Sequence, residues 1–418
     1  MADFERVPVV NVNVKNLNFL YPSIVLAIKN STFISIDLEL SGIGNRHEIN
    51  CSSIEDRYKA LSEVAKTRAI ISFGISCFKL QSNYPNSKNC LGIKFLVQTY
   101  NIVVLCNENY IVEPNSLQFL IQHGFDFNYQ YEFGLTYYRG NDKDESSIDT
   151  PSLRNLLNEI AIAKHPIILH NGLVDIIFLY QNLYCELPSS FSSFLADLSE
   201  LFSSGIYDTK YISEFQARLP ASYLQYIFRK KQRENANKMK NEKHYVAIEF
   251  VSYKDLSDIE YVMCHLRDIP EKRNSVTVCK NYANHGWCSK GKDCTDSHNV
   301  DDILDKQGCG LPSKKRKTEN IKEQEISTNK ISVDNSLSHT GHRAGFDAFM
   351  TGFVFASFLE VHCKFKSPSG LTAMLESGFD KTVNKIYLIG KNVPLIVTKG
   401  NFAKSSSEHK KKLQKLNI

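Results

Sequence analysis

Two groups of residues in this chain have types and spacings that could do chemistry. The first is Cys279, Cys288, Cys294 and His298, spaced C-x8-C-x5-C-x3-H. Three thiolates and one imidazole fill a tetrahedral zinc shell with no open position, the donor set of a structural rather than a catalytic site. The surrounding segment has too few apolar residues for its own core, so one bound Zn2+ must supply its folding energy. Chance clustering in a chain of eleven cysteines is the alternative. Tyr282, His285 and Trp287, the only tryptophan, lie between the ligands with Lys280, Lys290 and Lys292. Exposed rings among lysines suit stacking on single-stranded RNA bases.

The second group is dispersed. Asp37 and Glu39 sit two apart in an otherwise apolar stretch, Phe33 to Leu40, that reads as a strand, so both point to one face. Unpaired buried carboxylates are costly, which leaves a solvated edge strand or half of a divalent-metal site. Further along come Asp175, then His342 and, after four intervening residues, Asp347. Alone, Asp175 is a helix-start residue complementing the helix dipole, and His342 a loop histidine. Together, four carboxylates suffice to hold two divalent ions about 4 Å apart, which clamp the attacking and leaving oxygens of a phosphodiester. A histidine beside them can take a proton from water. Mg2+ suits such a set because it prefers carboxylates and keeps waters.

A sheet has to position these acids. Ile70 to Phe78 and Phe95 to Val104 read as further strands, and Val7 to Phe19 as an edge strand. Ile54 to Thr67 carries Tyr58, Leu61, Val64 and Ala65 on a helical period. A helix is expected to end at Gly124. A loop with Tyr129, Tyr131, Phe133, Tyr137 and Tyr138 follows, whose rings either stack bases or pack the core. Ser152 to Lys164 reads as an amphipathic helix leading into a short buried strand that breaks at Asn171-Gly172. Asp175 then opens the helix Val174 to Tyr184, and Asp208 reads as structural. An apolar helix spans Ala348 to Leu359, and residues 385–397 form a final strand pair. Strands interleaved with helices predict an α/β fold, a mixed sheet flanked by helices.

Composition divides the chain. Residues 1–228 and 339–402 read as two parts of one catalytic core. Between them lie a basic helical linker (229–270), the cysteine segment (271–300) and a polar linker (301–338) expected to be disordered. That linker carries the run Lys314-Lys315-Arg316-Lys317, which reads as a nuclear import signal, a non-specific nucleic-acid contact, or a merely solvated charge run. Residues 403–418 form a lysine-rich tail expected to fray. The net charge of +5 says little about partners. No long apolar run suggests a membrane span, and no secretory signal is visible at Met1-Ala2-Asp3. Scattered single cysteines such as Cys77 and Cys106 suggest buried thiols in a reducing compartment rather than a disulfide framework.

The order Asp37-x-Glu39, Asp175, His342-x4-Asp347 resembles that of the DEDDh exonucleases, 3′-to-5′ enzymes on an RNase H-like fold. The flanking text narrows this. Asp37-Leu38-Glu39-Leu40-Ser41-Gly42, Arg57-Tyr58 with Thr67-Arg68, Ser72-Phe73-Gly74, Gly124-Phe125-Asp126-Phe127-Asn128, His170-Asn171-Gly172 and Ala344-Gly345-Phe346-Asp347 resemble the deadenylase family, of the poly(A)-specific ribonuclease and CCR4-associated types. The cysteine segment is similar to the CCCH zinc fingers, many of which bind RNA. Its insertion with a basic run before the His-Asp motif is similar to a nuclear, finger-bearing branch of that family that trims small nuclear RNAs. The resemblance covers residues 5 to 400. It implies an RNase H-like mixed sheet with an inserted finger. It places Asp37, Glu39 and Asp347 on a first metal, Asp37 with Asp175, partly through water, on a second, and His342 as general base. It also implies RNA with 3′ adenosine tails as partner, and possible homo-oligomers or ribonucleoprotein assemblies. Arg343 departs from the family, where an acid is commoner, but removes no metal ligand.

The reading is therefore a nuclear, Mg2+-dependent 3′-to-5′ exoribonuclease that trims adenosine-rich tails and releases 5′-AMP. Two others compete: an RNA-binding adaptor working through its finger, and a DNA proofreading exonuclease of the same fold. Comparing an RNA tail with its deoxy version separates the last, since only RNA offers the 2′-hydroxyl.

Overall fold

The computed structural model of the chain describes residues 4–81, 92–143, 151–253, 256–266, 276–308, 342–362 and 379–417. In chain order the strands are β1 (Arg6–Val12), β2 (Phe33–Leu40), β3 (Ile70–Leu80), β4 (Gly92–Cys106), β5 (Leu135–Tyr137), β6 (Ile167–Leu169), β7 (Ile206–Asp208), β8 (Tyr245–Phe250), β9 (Ile259–Met263), β10 (Lys385–Ile386) and β11 (Leu395–Ile396). The helices of the first half are α1 (Leu17–Asn30), α2 (Arg46–Ile49), α3 (Ile54–Thr67), α4 (Pro114–Gln122), α5 (Phe127–Phe133), α6 (Leu153–Ala163) and α7 (Leu173–Leu179). Those of the second are α8 (Phe191–Leu201), α9 (Thr209–Tyr211), α10 (Leu224–Lys240), α11 (Lys280–His285), α12 (Val300–Lys306), α13 (Ala344–His362) and α14 (Ser407–Leu416). The expected α/β architecture, a mixed sheet flanked by helices, is what forms. Its strand order is β11-β10-β7-β6-β2-β3-β4-β1-β9, with β5 and β8 also paired to β4.

β2 lies well inside this sheet, antiparallel to β3 and parallel to β6. Its two-residue period divides the faces. Ile34, Ile36 and Leu38 join the core built with α1, α3, α6 and α7. On the opposite face Ser35 Oγ donates to the Ala348 carbonyl of α13 at 2.7 Å, so Ser35, Asp37 and Glu39 face that helix. α13 is apolar all round because it is buried on both sides, between the sheet and α10. Phe228 of α10 meets Phe346 and Phe353 of α13 with ring centroids 5.9 and 5.6 Å apart. Beneath the helix, the missing side chain of Gly352 makes room for the Phe78 ring, which a Cβ would approach to 2.1 Å.

Five expectations change. β1 is not an edge strand, because β9 covers its outer side in antiparallel register. The chain then turns, and Phe19 lies on α1. The aromatic loop after Gly124 contains a helix, α5, capped by Asp126, whose side chain accepts from Tyr129 N–H. Of the expected linker 229–270, the described residues 229–253 and 256–266 belong to the folded core: α10 packs on α13, and β8 and β9 join the sheet. The basic face of α10 turns inward because Asp301 of α12 neutralises it. Arg229 binds both Asp301 oxygens at 2.9 Å, and Arg233 adds a third contact at 2.7 Å. The polar linker expected from 301 therefore begins in α12, while 309–341, including Lys314 to Lys317, lie outside the described residues. The lysine-rich tail forms a docked helix, α14. Lys412 Nζ binds both Asp142 oxygens at 2.7 Å, and buried His409 bridges Tyr184 and Glu200.

Candidate active site

Three separate segments bring the dispersed acids together. β2 carries Asp37 and Glu39 to its C-terminal end, where both are half-buried. Across the ladder Asp37 faces Gly74 of β3. A Cβ on Gly74 would lie 1.9 Å from the Ala344 carbonyl oxygen and 2.5 Å from Gly345 N, so the start of α13 rests directly on the sheet there. Asn101 of β4 fixes that approach by accepting from Gly345 N–H at 3.1 Å. Asp347 then falls in the first turn of α13, only 6% exposed. Gly74→Ala is expected to push the helix start off the sheet, since backbone atoms cannot rotate away. We expect a loss of about 2–3 kcal/mol in denaturant unfolding. A displacement of the Asp347 turn by about 1 Å should also lower the metal-dependent rate roughly 100-fold.

His342 precedes α13 in the left-handed region, with φ +65°. Its Nδ1 lies 4.0 Å from Asp347 Oδ2. The ring packs edge-on against Phe119 and His123 of the α4 end, at 4.4 and 4.5 Å. Burial and the neighbouring His123 lower its pKa to about 4. The imidazole is thus neutral at pH 7, the form that accepts a proton.

Asp175 comes from α7, which follows the turn after β6. Asn171 in that turn has φ +61°. The turn is held by Asp208, which is fully buried and accepts N–H bonds from Asn171 (3.0 Å), Gly172 (3.2 Å), Lys210 (2.9 Å), Tyr211 (3.3 Å) and Tyr387 (3.0 Å). One carboxylate so ties the β6–α7 turn, the start of α9 and the segment after β10 together. Asp208 is structural, as its sequence context suggests, and its work is to position Asp175.

Asp37, Glu39, Asp175, His342 and Asp347 all line one cavity of about 600 Å³. Donor atoms of Glu39, His342 and Asp347 lie within 4.8 Å of one another. Burial raises Asp37 and Glu39 well above the usual carboxylate range, and repulsion from Asp347 and Asp175 adds to it. Burial lifts Asp175 and Asp347 to about 7. Asp347 Oδ1 is buried with no hydrogen-bond partner. Mutually repelling carboxylates with an orphaned oxygen fit a divalent-metal site.

A pH dependence follows from these shifts. The acids hold protons in the fold up to about pH 7 that the unfolded chain loses near pH 4. Metal-free stability should therefore fall as pH rises through that window. Mg2+ competes with the same protons, so it should raise the melting temperature more at pH 8 than at pH 5.5. Equal shifts at the two pH values would refute the assignment.

The cysteine segment gathers as its spacing requires. Donor atoms of Cys279, Cys288, Cys294 and His298 lie within 4.8 Å of one another, and His298 Nε2 is buried without a partner. This set fits tetrahedral Zn2+. Trp287 is exposed at 61%. Tyr282 is half-buried: its ring stacks on His298 at 4.5 Å and meets Tyr223 of the α10 start, where it borders the cavity that holds the acids. Arg343 pairs with Glu260 of β9, which accounts for a cation at this position. Sequence reasoning missed Phe119, His123 and Asn101 as neighbours of the site. They are ordinary core and helix-end residues until the chain folds.

Fold and site together define an α/β protein of the acidic-cluster nuclease class. The chain belongs to the CAF1 family of ribonucleases, whose profile matches residues 12–150 and 141–355. An uncharacterised protein of Schizosaccharomyces pombe is 31% identical over 112 residues, 26% of either chain. Poly(A)-specific ribonuclease PARN of Xenopus laevis is 27% identical over 135 residues, 29% of this chain and 20% of that one. The pre-piRNA 3′-exonuclease trimmer of Bombyx mori is 26% identical over 188 residues, 44% of this chain and 31% of that one. The chain thus spans a third or less of these relatives' lengths. The solved Mg2+- and Mn2+-bound structure of S. pombe Pop2p overlaps with a TM-score of 0.41 at 20% identity, over 54% of this chain and 82% of that one.

Proposed function

We propose that this protein is a divalent-metal-dependent 3′-to-5′ exoribonuclease that removes adenosine-rich tails from RNA and releases 5′-AMP. The observation that carries this is the convergence of all five family-ordered residues on one cavity. Asp37, Glu39 and Asp347 would hold one Mg2+, and Asp37 with Asp175 the second. Bound there, such ions supply an activated water and neutralise charge on the scissile phosphate. His342, neutral and beside Asp347, takes the proton of the attacking water. The family match supports the nuclease reading, and the relatives named for poly(A) and pre-piRNA 3′ ends support the polarity. Within the family we place the chain nearest the finger-bearing, nuclear target-of-EGR-one type, because it carries a Cys3His cluster before the His-Asp motif. The run Lys314 to Lys317 supports a nuclear location, and the likeness to that branch is what suggests small nuclear RNAs as substrates.

The test is a time course on 3′-oligo(A), its deoxy version, 3′-oligo(U) and a structured small nuclear RNA, with and without Mg2+. Stepwise release of AMP from oligo(A), dependent on Mg2+, is expected. No nucleotide release from any substrate would leave the finger-borne adaptor as the standing reading. Preference for the deoxy tail would point to DNA.

A further inference from the structure

The finger is not a separate appendage. Tyr282 and Gly286 line the same cavity as the catalytic acids, beside Tyr223, Leu224 and Gln225 of the α10 start. α11 ends at Gly286 with φ +70°, where a Cβ would stand 2.6 Å from the Tyr223 ring. Only a residue without a side chain lets the finger close on α10 this tightly. Tyr282 lies flat on the zinc ligand His298, 4.5 Å away with 7° between planes. Its other neighbour is Tyr223, edge-on at 5.9 Å. Its hydroxyl donates to Gln225 Oε1 at 3.5 Å.

We infer that the finger forms a fixed wall of the catalytic cavity, and that Tyr223, Tyr282 and Gln225 make a base-binding subsite for the RNA 3′ end. This rests on the exoribonuclease reading and adds what the substrate's bases touch. Aromatic rings stack on any base, and a glutamine amide can pair with the adenine edge. The cavity, about 600 Å³, is in the range that takes small organic ligands. Zinc held by Cys279, Cys288, Cys294 and His298 fixes the imidazole on which Tyr282 lies. Finger metallation and substrate binding are therefore coupled.

The test uses the full chain carrying Asp37→Ala, with binding of fluorescent 3′-oligo(A) read by anisotropy and zinc counted per chain. Adding Tyr282→Ala should weaken binding roughly tenfold with zinc retained, while Tyr282→Phe stays within about twofold. Should Tyr282→Ala lose zinc, Tyr223→Ala, outside the finger, should give the same loss with zinc in place. Stripping zinc with a chelator should also weaken binding. Unchanged affinity in zinc-loaded Tyr282→Ala and in Tyr223→Ala overturns the subsite. Unchanged affinity after zinc removal overturns the coupling. Mg2+-dependent hydrolysis of bis(4-nitrophenyl) phosphate by the wild-type chain, a diester without a base, reports the acid cluster separately. Failure there strikes the exoribonuclease reading, whereas failure of the subsite appears only in binding.

Discussion

Asp37→Ala should lower the rate of 3′-oligo(A) shortening by at least about 1,000-fold while leaving RNA binding intact, because a bound metal supplies several kcal/mol of transition-state charge stabilisation. Asp37 is the acid assigned to both ions, so its loss affects each of them. The same substitution should stabilise the metal-free protein. Burial penalises the charge of Asp37, and repulsion from Asp347, Asp175 and Glu39 adds to that penalty. Removing it relieves that strain, by about 1–2 kcal/mol at pH 8. Single-turnover kinetics and thermal melts without metal measure the two effects. A variant that shortens oligo(A) at the wild-type rate would sink the metal-site assignment. A variant that is less stable than wild type without metal would show that Asp37 packs rather than strains.

Asp208→Ala is expected to have a large effect on folding. Its carboxylate receives five backbone N–H groups from three segments. Alanine would leave these donors buried and unpaired, at about 1 kcal/mol or more each. Relief of repulsion with Asp175 offsets a part. A net loss of about 4 kcal/mol is expected, in the range that marks a broken buried network. Chemical denaturation measures it. Mg2+ affinity, followed by metal-induced protection, should fall too, because the turn that aims Asp175 loses its tie. A shift below about 1 kcal/mol would mean that the turn is held by something other than this carboxylate.

These expectations differ in how legible they were before folding. The acids on β2 could be read from alternation alone, because a strand's period of two puts Asp37 and Glu39 on one face whatever the strand packs against. The zinc ligands were legible for a similar reason: donor type and short spacing constrain a local shell almost without the rest of the chain. The apolar helix containing Phe349 and Phe353 was visible as an element, since only Thr351 and Ser357 interrupt its apolar run and no charge does.

What escaped was every relation that depends on a distant segment. α10 looks like a solvated basic helix until Asp301 meets Arg229 and Arg233. α14 looks like a frayed tail until Asp142 and Glu200 receive Lys412 and His409. Charge composition reports solvation only when no partner of opposite sign is folded against it, and no local pattern announces the partner. His123 and Asn101 likewise have no signal, because their importance is proximity to a helix start far along the chain.

By itself, then, the sequence determined which side chains could bind metal, and the periodicity that presents two of them on one face. Tertiary structure decided the rest. Gly74 lets α13 close on the sheet, Asp208 aims the turn before Asp175, and Tyr223 receives the finger at Gly286. The reason is physical: ligand identity is a property of single residues, whereas a cavity exists only where separate backbones approach.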